Sequence, residues 1–459
     1  MVERGPALAS GDVSRIDQPG CTVGSPAASS RSSFPTLPED AGSLESQALV
    51  TNDAVVLGLL ALILGFVFWS ERSQHPFWKK FYTWVPGLLL CYFLPSLLNS
   101  FGVVDPEASN LYFVSSRYLL PATLVLLTLS VDLPAIAQLG WKAVAMFFTG
   151  TLGILIGGPI ALMIVGAVSP ETVGGGGPDA VWRGLTTVAG SWIGGGANQT
   201  AMKEVFEVGD TLFSQMVAVD VLVANVWMAV LLFLAGRNES IDRRTGADTS
   251  AIHELRRRVE AFHDKHQRPL NLPDLMLILA VGFGVTGLAH ALGDGIAGWI
   301  AESAPLLARF SLTSSFFWLI VIATTVGVAL SFTPAKNLEG AGASRIGSAM
   351  LYILVASIGM GMDVSAVVSN PGLFVVGAVW MSIHAVLLLV VAKLLNVPLF
   401  YMAVGSQANV GGAASAPVVA SAFHPSLAPV GVLLAVLGYA VGTYAAWICG
   451  LIMQAVAPM

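Results

Sequence analysis

Charge is what this sequence has least of. Asp, Glu, Lys and Arg make up 11% of 459 residues, whereas a soluble globular chain carries about 25%, which argues against a soluble fold. The net charge is −6 and no basic domain is present to sit on a phosphate backbone, so nucleic acid is not a partner. Cysteine is scarce as well. Cys21, Cys91 and Cys449 stand far apart with no CxxC pair, which removes a disulfide framework and a zinc or thioredoxin-type site. No GK[ST] follows either glycine cluster and no strand precedes one, so neither is a phosphate-binding loop. An intramembrane protease needs paired acids or a Ser-His dyad on facing helices. Residues 359–363 read GMGMD rather than Gly-x-Gly-Asp, and no GxSxG lies in an apolar run, so no enzyme is expected.

What the sequence has is apolar residues, 55% of the chain, with a mean hydropathy of +0.75. That composition rules out a disordered chain and points to an all-α, polytopic protein of the lipid bilayer. A span needs about 20 residues. Runs of that order occur near 54–69, 81–99, 116–131, 141–167 and 211–235, and again near 274–291, 314–332, 345–361, 372–394 and 428–455. Residues 1–53 hold seven acidic residues against three Arg and no apolar core for a signal peptide; they read as a mobile tail. Between 236 and 272 lies a charged connector with eight Lys or Arg, in which Ile252, Leu255, Val259 and Phe262 recur at helical spacing. It reads as a surface linker, with His263 and His266 solvated rather than metal-binding. Four segments follow as domains: the tail (1–53), a first membrane repeat (54–235), the connector (236–272) and a second repeat (273–459).

Each half also contains one apolar segment interrupted by glycine: GLTTVAGSWIGGGANQTAMKEVF at 184–206 and PLFYMAVGSQANVGGAASAPVVASAF at 398–423. Clustered Gly weakens a helix by about 1 kcal/mol each relative to Ala. Aligning the two pairs Gly190 with Gly405, Ser191 with Ser406, Gly196 with Gly411 and Thr200 with Ser415, all 215 residues apart. Asp132 and Asp363 pair at 231, and the difference of 16 matches an extra loop at 169–183 in the first half. The halves are duplicates, and matched Gly-interrupted segments are a sequence pointer to a secondary transporter's binding site.

Charge orients the repeats. Arg72, Lys79 and Lys80 in the first connection and the basic central connector both belong on the cytoplasmic face. They share a face if the broken segment enters and returns on one side, or if it is an unwound crossing helix and some other segment is not a true span; the charge pattern favours the first. That gives two inverted repeats of about five spans each, plus one broken or re-entrant Gly-rich helix per repeat.

Polar residues beside the breaks are the candidate ligands: Ser191, Asn198, Gln199 and Thr200 around Gly195 and Gly196, then Ser406, Gln407, Asn409 and Ser415 around Gly411 and Gly412. Half-helices starting after Gly196 and Gly412 would point positive ends at an anion, while freed carbonyls could hold Na⁺. Asp220, with Asn225 five residues on, lies in FSQMVAVDVLVANVWMAVLL. A charge at that depth costs about 2.5–3.5 kcal/mol on insertion scales, so it normally faces a cavity as a proton or cation site; Na⁺ or H⁺ is the expected coupling ion. Asp132 and Asp363 sit at segment ends, Arg117 and Arg345 begin matching spans as anchors or anion ligands, Lys203 and Glu204 suggest a local ion pair, and His384 a hydrogen-bonded core residue.

SSRYLLPATLVLLTLSVDL, AGSWIGGGANQTAMKE, AVDVLVANVWMA and SRIGSAMLYILVASIGMGMD resemble the YjcL-like family of uncharacterised integral membrane proteins, over nearly all of 54–455. More remotely, the repeat layout is similar to the sodium/proton antiporter and bile-acid:sodium symporter superfamily. That resemblance implies a transport domain holding broken helices from both halves, and an acid on the helix after the first broken one, the place of Asp220. Val221 follows it, so the Asp-Asp pair of the antiporters is lacking. The expected function is an ion-coupled transporter of a small solute, an organic anion among the candidates. The competing readings are a cation/proton antiporter and a non-transporting receptor or scaffold. A homodimer, and a bacterial inner membrane or plastid envelope, are compatible with it.

Overall fold

The computed structural model describes residues 49–82, 85, 87–106, 108–246, 269–362 and 370–458. Most of the N-terminal tail, the amphipathic stretch 252–262, His263, His266 and Asp363 lie outside the described residues. Apart from one bridge between Val50 and Val104, the described residues form no strand. Among the described residues eight helices are long and apolar enough to cross a membrane: α1 (Asp53–Arg72), α4 (Leu111–Leu129), α5 (Trp141–Val168), α7 (Asp210–Ala235), α9 (Leu272–Ser303), α11 (Ala343–Met360), α12 (Gly372–Leu394) and α15 (Ala428–Val456). Two bent pairs bring the number to as many as ten, five in each half, if each pair is one span. Pro76–Tyr82 (α2) turns by 93° into Gly87–Ser100 (α3), and Ser315–Leu330 (α10) turns by 94° into Pro334–Ala341. The protein is thus an integral, multi-pass membrane protein.

Helix ends follow from local chemistry. The Asn52 side chain accepts from Ala54 N–H at 2.9 Å, with Asp53 in the first turn and Arg72 in the last, each at the end its charge favours. Asn271 caps α9 in the same way, accepting from Asp274 N–H at 2.9 Å. Asp132 accepts from Ala135 N–H at 3.1 Å, so it is a helix cap and not a binding group. Two readings need correction. The tail does not run free up to residue 53, because Val50 N–H already donates to the Val103 carbonyl at 2.9 Å. Nor is the whole connector a plain linker. Its first part forms α8 (Asn238–Thr245), where the carboxylate of buried Asp242 accepts from Leu399 N–H at 2.9 Å. Burial raises the Asp242 pKa, and the Leu399 hydrogen bond works in the opposite direction.

The halves interleave. The first three spans of each half (α1, α3, α4 and α9, α10, α11) pack on one another. The remaining elements of both halves form a second group, in which α5 lies on α12 and the two broken segments lie against α15, α5 and α7.

Candidate functional site

Both broken segments are hairpins. Val181–Val205 (α6) would run about 37 Å if straight. Instead the rings of Trp182 and Phe206 are 5.9 Å apart, and Gly209 N–H donates to the Pro178 carbonyl at 3.0 Å. The chain reverses at Gly195, whose φ of 75° and ψ of −176° suit glycine alone. The second segment, Leu399–Val410 (α13) and Gly412–Phe423 (α14), reverses at Gly411 and Gly412, with φ 56° at the latter. It closes with the rings of Phe400 and Phe423 at 5.4 Å. The tips converge on α15: a Cβ built on Gly438 would stand 2.6 Å from the Ile193 carbonyl of the first hairpin and 3.7 Å from the Ala408 carbonyl of the second.

Asp220 clasps the first hairpin by both arms. One carboxylate oxygen accepts from Ser191 Oγ at 2.7 Å on the outgoing arm and from Gln199 Nε2 at 2.9 Å on the return arm; the other accepts from Trp192 Nε1 at 2.7 Å. Asp220 is 5% exposed and Gln199 1%, so each of these bonds replaces water outright. A hard cation needs oxygen ligands. Both Asp220 oxygens accept from donors, Trp192 N–H being a donor only, so the three bonds satisfy the ionised carboxylate without using all of its lone pairs. Among the described residues no three His, Cys, Asp or Glu group to hold a metal.

Two turns along α7, Trp227 repeats the pattern for the second hairpin. Its Nε1 donates to Ser406 Oγ at 2.8 Å, and Ser406 also meets His384 Nε2 at 2.8 Å, while His384 Nδ1 faces the Gly150 carbonyl at 3.0 Å. Ser191 and Ser406, aligned 215 residues apart in the sequence, therefore both bond to α7, through side chains seven residues apart. His384 is a buried, fully bonded core histidine.

The other candidates divide. Asn198 donates to the Gly194 carbonyl at 2.9 Å and accepts from Thr443 Oγ1 at 2.6 Å; Asn409 donates to the Phe147 and Gly405 carbonyls at 2.9 and 3.0 Å and accepts from Thr151 Oγ1 at 2.7 Å. These amides tie each hairpin to the helix beside it, Asn198 to α15 through Thr443 and Asn409 to α5 through Phe147 and Thr151. Thr200 bonds back to the Gly196 carbonyl at 3.0 Å. Gln407 donates to Ser415 Oγ at 2.7 Å across the second hairpin, while its buried Oε1 has no partner. Asn225 donates to the Val221 carbonyl at 2.7 Å within its own helix and is not brought to Asp220. Residue spacing missed Trp192, Trp227, Thr443 and Thr151. A tryptophan N–H in an apolar run needs a partner when buried, and that is the one signal by which the first two were findable.

Replacing Asn198 or Asn409 with Leu is accordingly expected to orphan buried carbonyls and hydroxyls and to cost about 1–3 kcal/mol per unsatisfied group. Thermal melting of the purified variants in detergent measures it. A parental melting temperature combined with altered solute affinity would instead make these amides ligands.

The family described as "Protein of unknown function (DUF819)" matches residues 58–456. The chain is also similar to the "Uncharacterized membrane protein YjcL" of Bacillus subtilis (strain 168), with 22% identity over 376 residues that cover 78% of this chain and 88% of the relative.

Proposed function

We propose that this chain, which belongs to the DUF819 family, is a proton-coupled secondary active transporter of a small solute, with Asp220 as the carboxylate that takes up and releases the proton. The observation that carries this reading is the donor set around Asp220. Ser191 hydroxyl and Gln199 amide can each turn to accept instead of donate, and Trp192 N–H still has the second oxygen to bond. Protonated and ionised forms can therefore both be satisfied in the same pocket, and changing between them reverses the hydrogen bonds that join Asp220 to the hairpin. The hairpins, α5, α7, α12 and α15 are the group that moves; α1, α3, α4, α9, α10 and α11 are the scaffold. Each return arm starts at a tip, so its N-terminal end can meet an anionic solute there, which makes a small carboxylate the first substrate class to try. On this reading the layout would be that of the sodium/proton antiporter and bile-acid:sodium symporter superfamily with a single acid, and a proton is the coupling ion tested first.

Purified protein is screened by thermal shift against small carboxylates at pH 5 to 8, since a ligand that prefers the native state raises apparent stability by mass action. Hits then go into proteoliposomes with an internal pH dye. Solute-driven proton entry supports the proposal; solute uptake with no proton movement, or binding with no uptake of any hit, refutes it. Inverted repeats require the 169–183 loop and α8 to lie on opposite faces. With the native cysteines replaced, Gly176→Cys and Glu239→Cys are expected to react with an impermeant thiol reagent from opposite sides of sealed vesicles. Labelling from one side would remove the inverted topology.

A further inference from the structure

At the base of the first hairpin the return arm ends in Lys203 and Glu204, and these do not form the simple local pair their adjacency suggests. They stand 4.0 Å apart, and each has a closer partner on another helix. Lys203 Nζ, in a residue 5% exposed, lies 2.8 Å from Asp210 Oδ1 at the start of α7 and donates to Tyr112 Oη at 2.7 Å. Tyr112 in turn donates to Glu204 Oε1. Arg117 Nη1 lies 3.2 Å from Glu204 Oε2, an ion-pair distance at an angle that makes no hydrogen bond. Tyr112 and Arg117 both belong to α4, in the scaffold group, while Lys203 and Glu204 belong to the hairpin.

The α4 side of this cluster is anchored. Ser115–Leu119 is a π-helical turn, a form that appears mostly as single turns at functional sites. Its geometry is held from three neighbouring scaffold elements. His290 of α9 meets the Arg117 carbonyl at 2.9 Å, Ser357 of α11 meets Ser115 Oγ at 3.0 Å, and the Phe316 ring of α10 lies 4.3 Å under the guanidinium. Other polar ties from this hairpin to the scaffold group are uncharged, among them Tyr92 Oη to Gln199 at 3.5 Å and Ser311 Oγ to the Val205 carbonyl at 3.3 Å.

We infer that Tyr112 and Arg117 form a latch that holds the return arm of the first hairpin against the scaffold, and so set how readily that arm leaves the conformation described here. The return arm is the one that also carries Gln199 to Asp220. Its polar holds thus include the Asp220 carboxylate at one end and the Lys203–Glu204 cluster at the other, and the arm can leave the scaffold only when Lys203 parts from Tyr112 and Glu204 from Tyr112 and Arg117. The inference rests on the moving-hairpin reading above, but its test does not require transport.

Amide hydrogen exchange of the full-length protein in nanodiscs is compared for peptides covering 196–205, 184–194 and 399–410. Arg117→Gln, which keeps bulk and removes charge, is expected to speed exchange of 196–205 about two- to fivefold while leaving 399–410 unchanged, because an ion pair is lost from that arm alone. Tyr112→Phe, which removes only the hydroxyl, is expected to act the same way more weakly, and Arg117→Lys to return exchange toward the parental rate. Unchanged exchange in both Arg117→Gln and Tyr112→Phe, or equal acceleration in both hairpins, overturns the latch. Failure of the parental protein to move protons with any solute would refute the transport reading and leave this exchange comparison standing.

Discussion

Asp220→Asn is expected to fold, to bind solute with no dependence on pH, and to lose proton-coupled accumulation by about a hundredfold or more, the usual scale of a removed proton-transfer group. The geometry says why it folds. Trp192 Nε1 can only donate, so the Asn Oδ1 must take its place 2.7 Å away, leaving Nδ2 toward Ser191 and Gln199. A hydroxyl and an amide can both reverse to accept from Nδ2, so no buried donor is left facing another donor. The pocket then resembles its protonated form permanently. Ser191→Ala and Gln199→Leu should separate this role from a packing role: each removes one reversible partner, so each should shift the pH midpoint of solute-dependent proton movement while retaining some of it. Proton-driven uptake at the parental rate in Asp220→Asn, measured in proteoliposomes beside its melting curve, would leave Asp220 as a structural clasp.

The apolar helices were legible because apolar length is a one-dimensional property: each run read near 54–69 through 428–455 overlaps one of the eight span-capable helices or one of the two bent pairs. The hairpins were half legible. Glycine clusters marked where helices break, and the balance of charged loops required the chain to return. The adjacency of Trp182 with Phe206 and of Phe400 with Phe423 is a tertiary fact that no periodicity encodes. Asp220 was found by its solitude among apolar residues, yet its partners were only partly found. Ser191 and Gln199 stood beside a glycine cluster and drew notice as polar residues, whereas Trp192 and Trp227 passed for apolar bulk, and one N–H on a large ring was the whole signal. Asn198 and Asn409 were read as ligands because amides beside a break can face a solute. They face carbonyls and threonine hydroxyls, and so tie each hairpin to the helix beside it. Arg117 looked like a boundary anchor, and its pairing with Glu204 spans 87 residues through a π turn that spacing at 3.6 residues cannot anticipate.

A pair of glycine substitutions six residues apart should have opposite outcomes, and the contrast tests the hairpin itself. A Cβ on Gly190 would stand 2.5 Å from the Asn198 carbonyl oxygen, 2.8 Å from its carbon and 3.0 Å from Gln199 N. All three are backbone atoms of the opposing arm, so no rotamer change relieves the clash and the arms must part. Overpacking of this kind costs about 1–3 kcal/mol where side chains can adjust, and backbone against backbone places Gly190→Ala at or above the upper end. Splayed arms also withdraw Gln199 from Asp220, so proton coupling should fall with stability. At Gly196 the nearest heavy atom to a built Cβ is Leu351 Cδ2 at 3.8 Å, and the residue has no positive φ. Gly196→Ala should therefore be accepted and should add about 0.5–1 kcal/mol through the lower chain entropy of alanine in a helix. Melting of both variants in one detergent decides the matter, because a straight or merely kinked helix puts no opposing arm beside Gly190. Equal melting temperatures for Gly190→Ala and Gly196→Ala would reject the doubled-back geometry on which the Asp220 clasp depends.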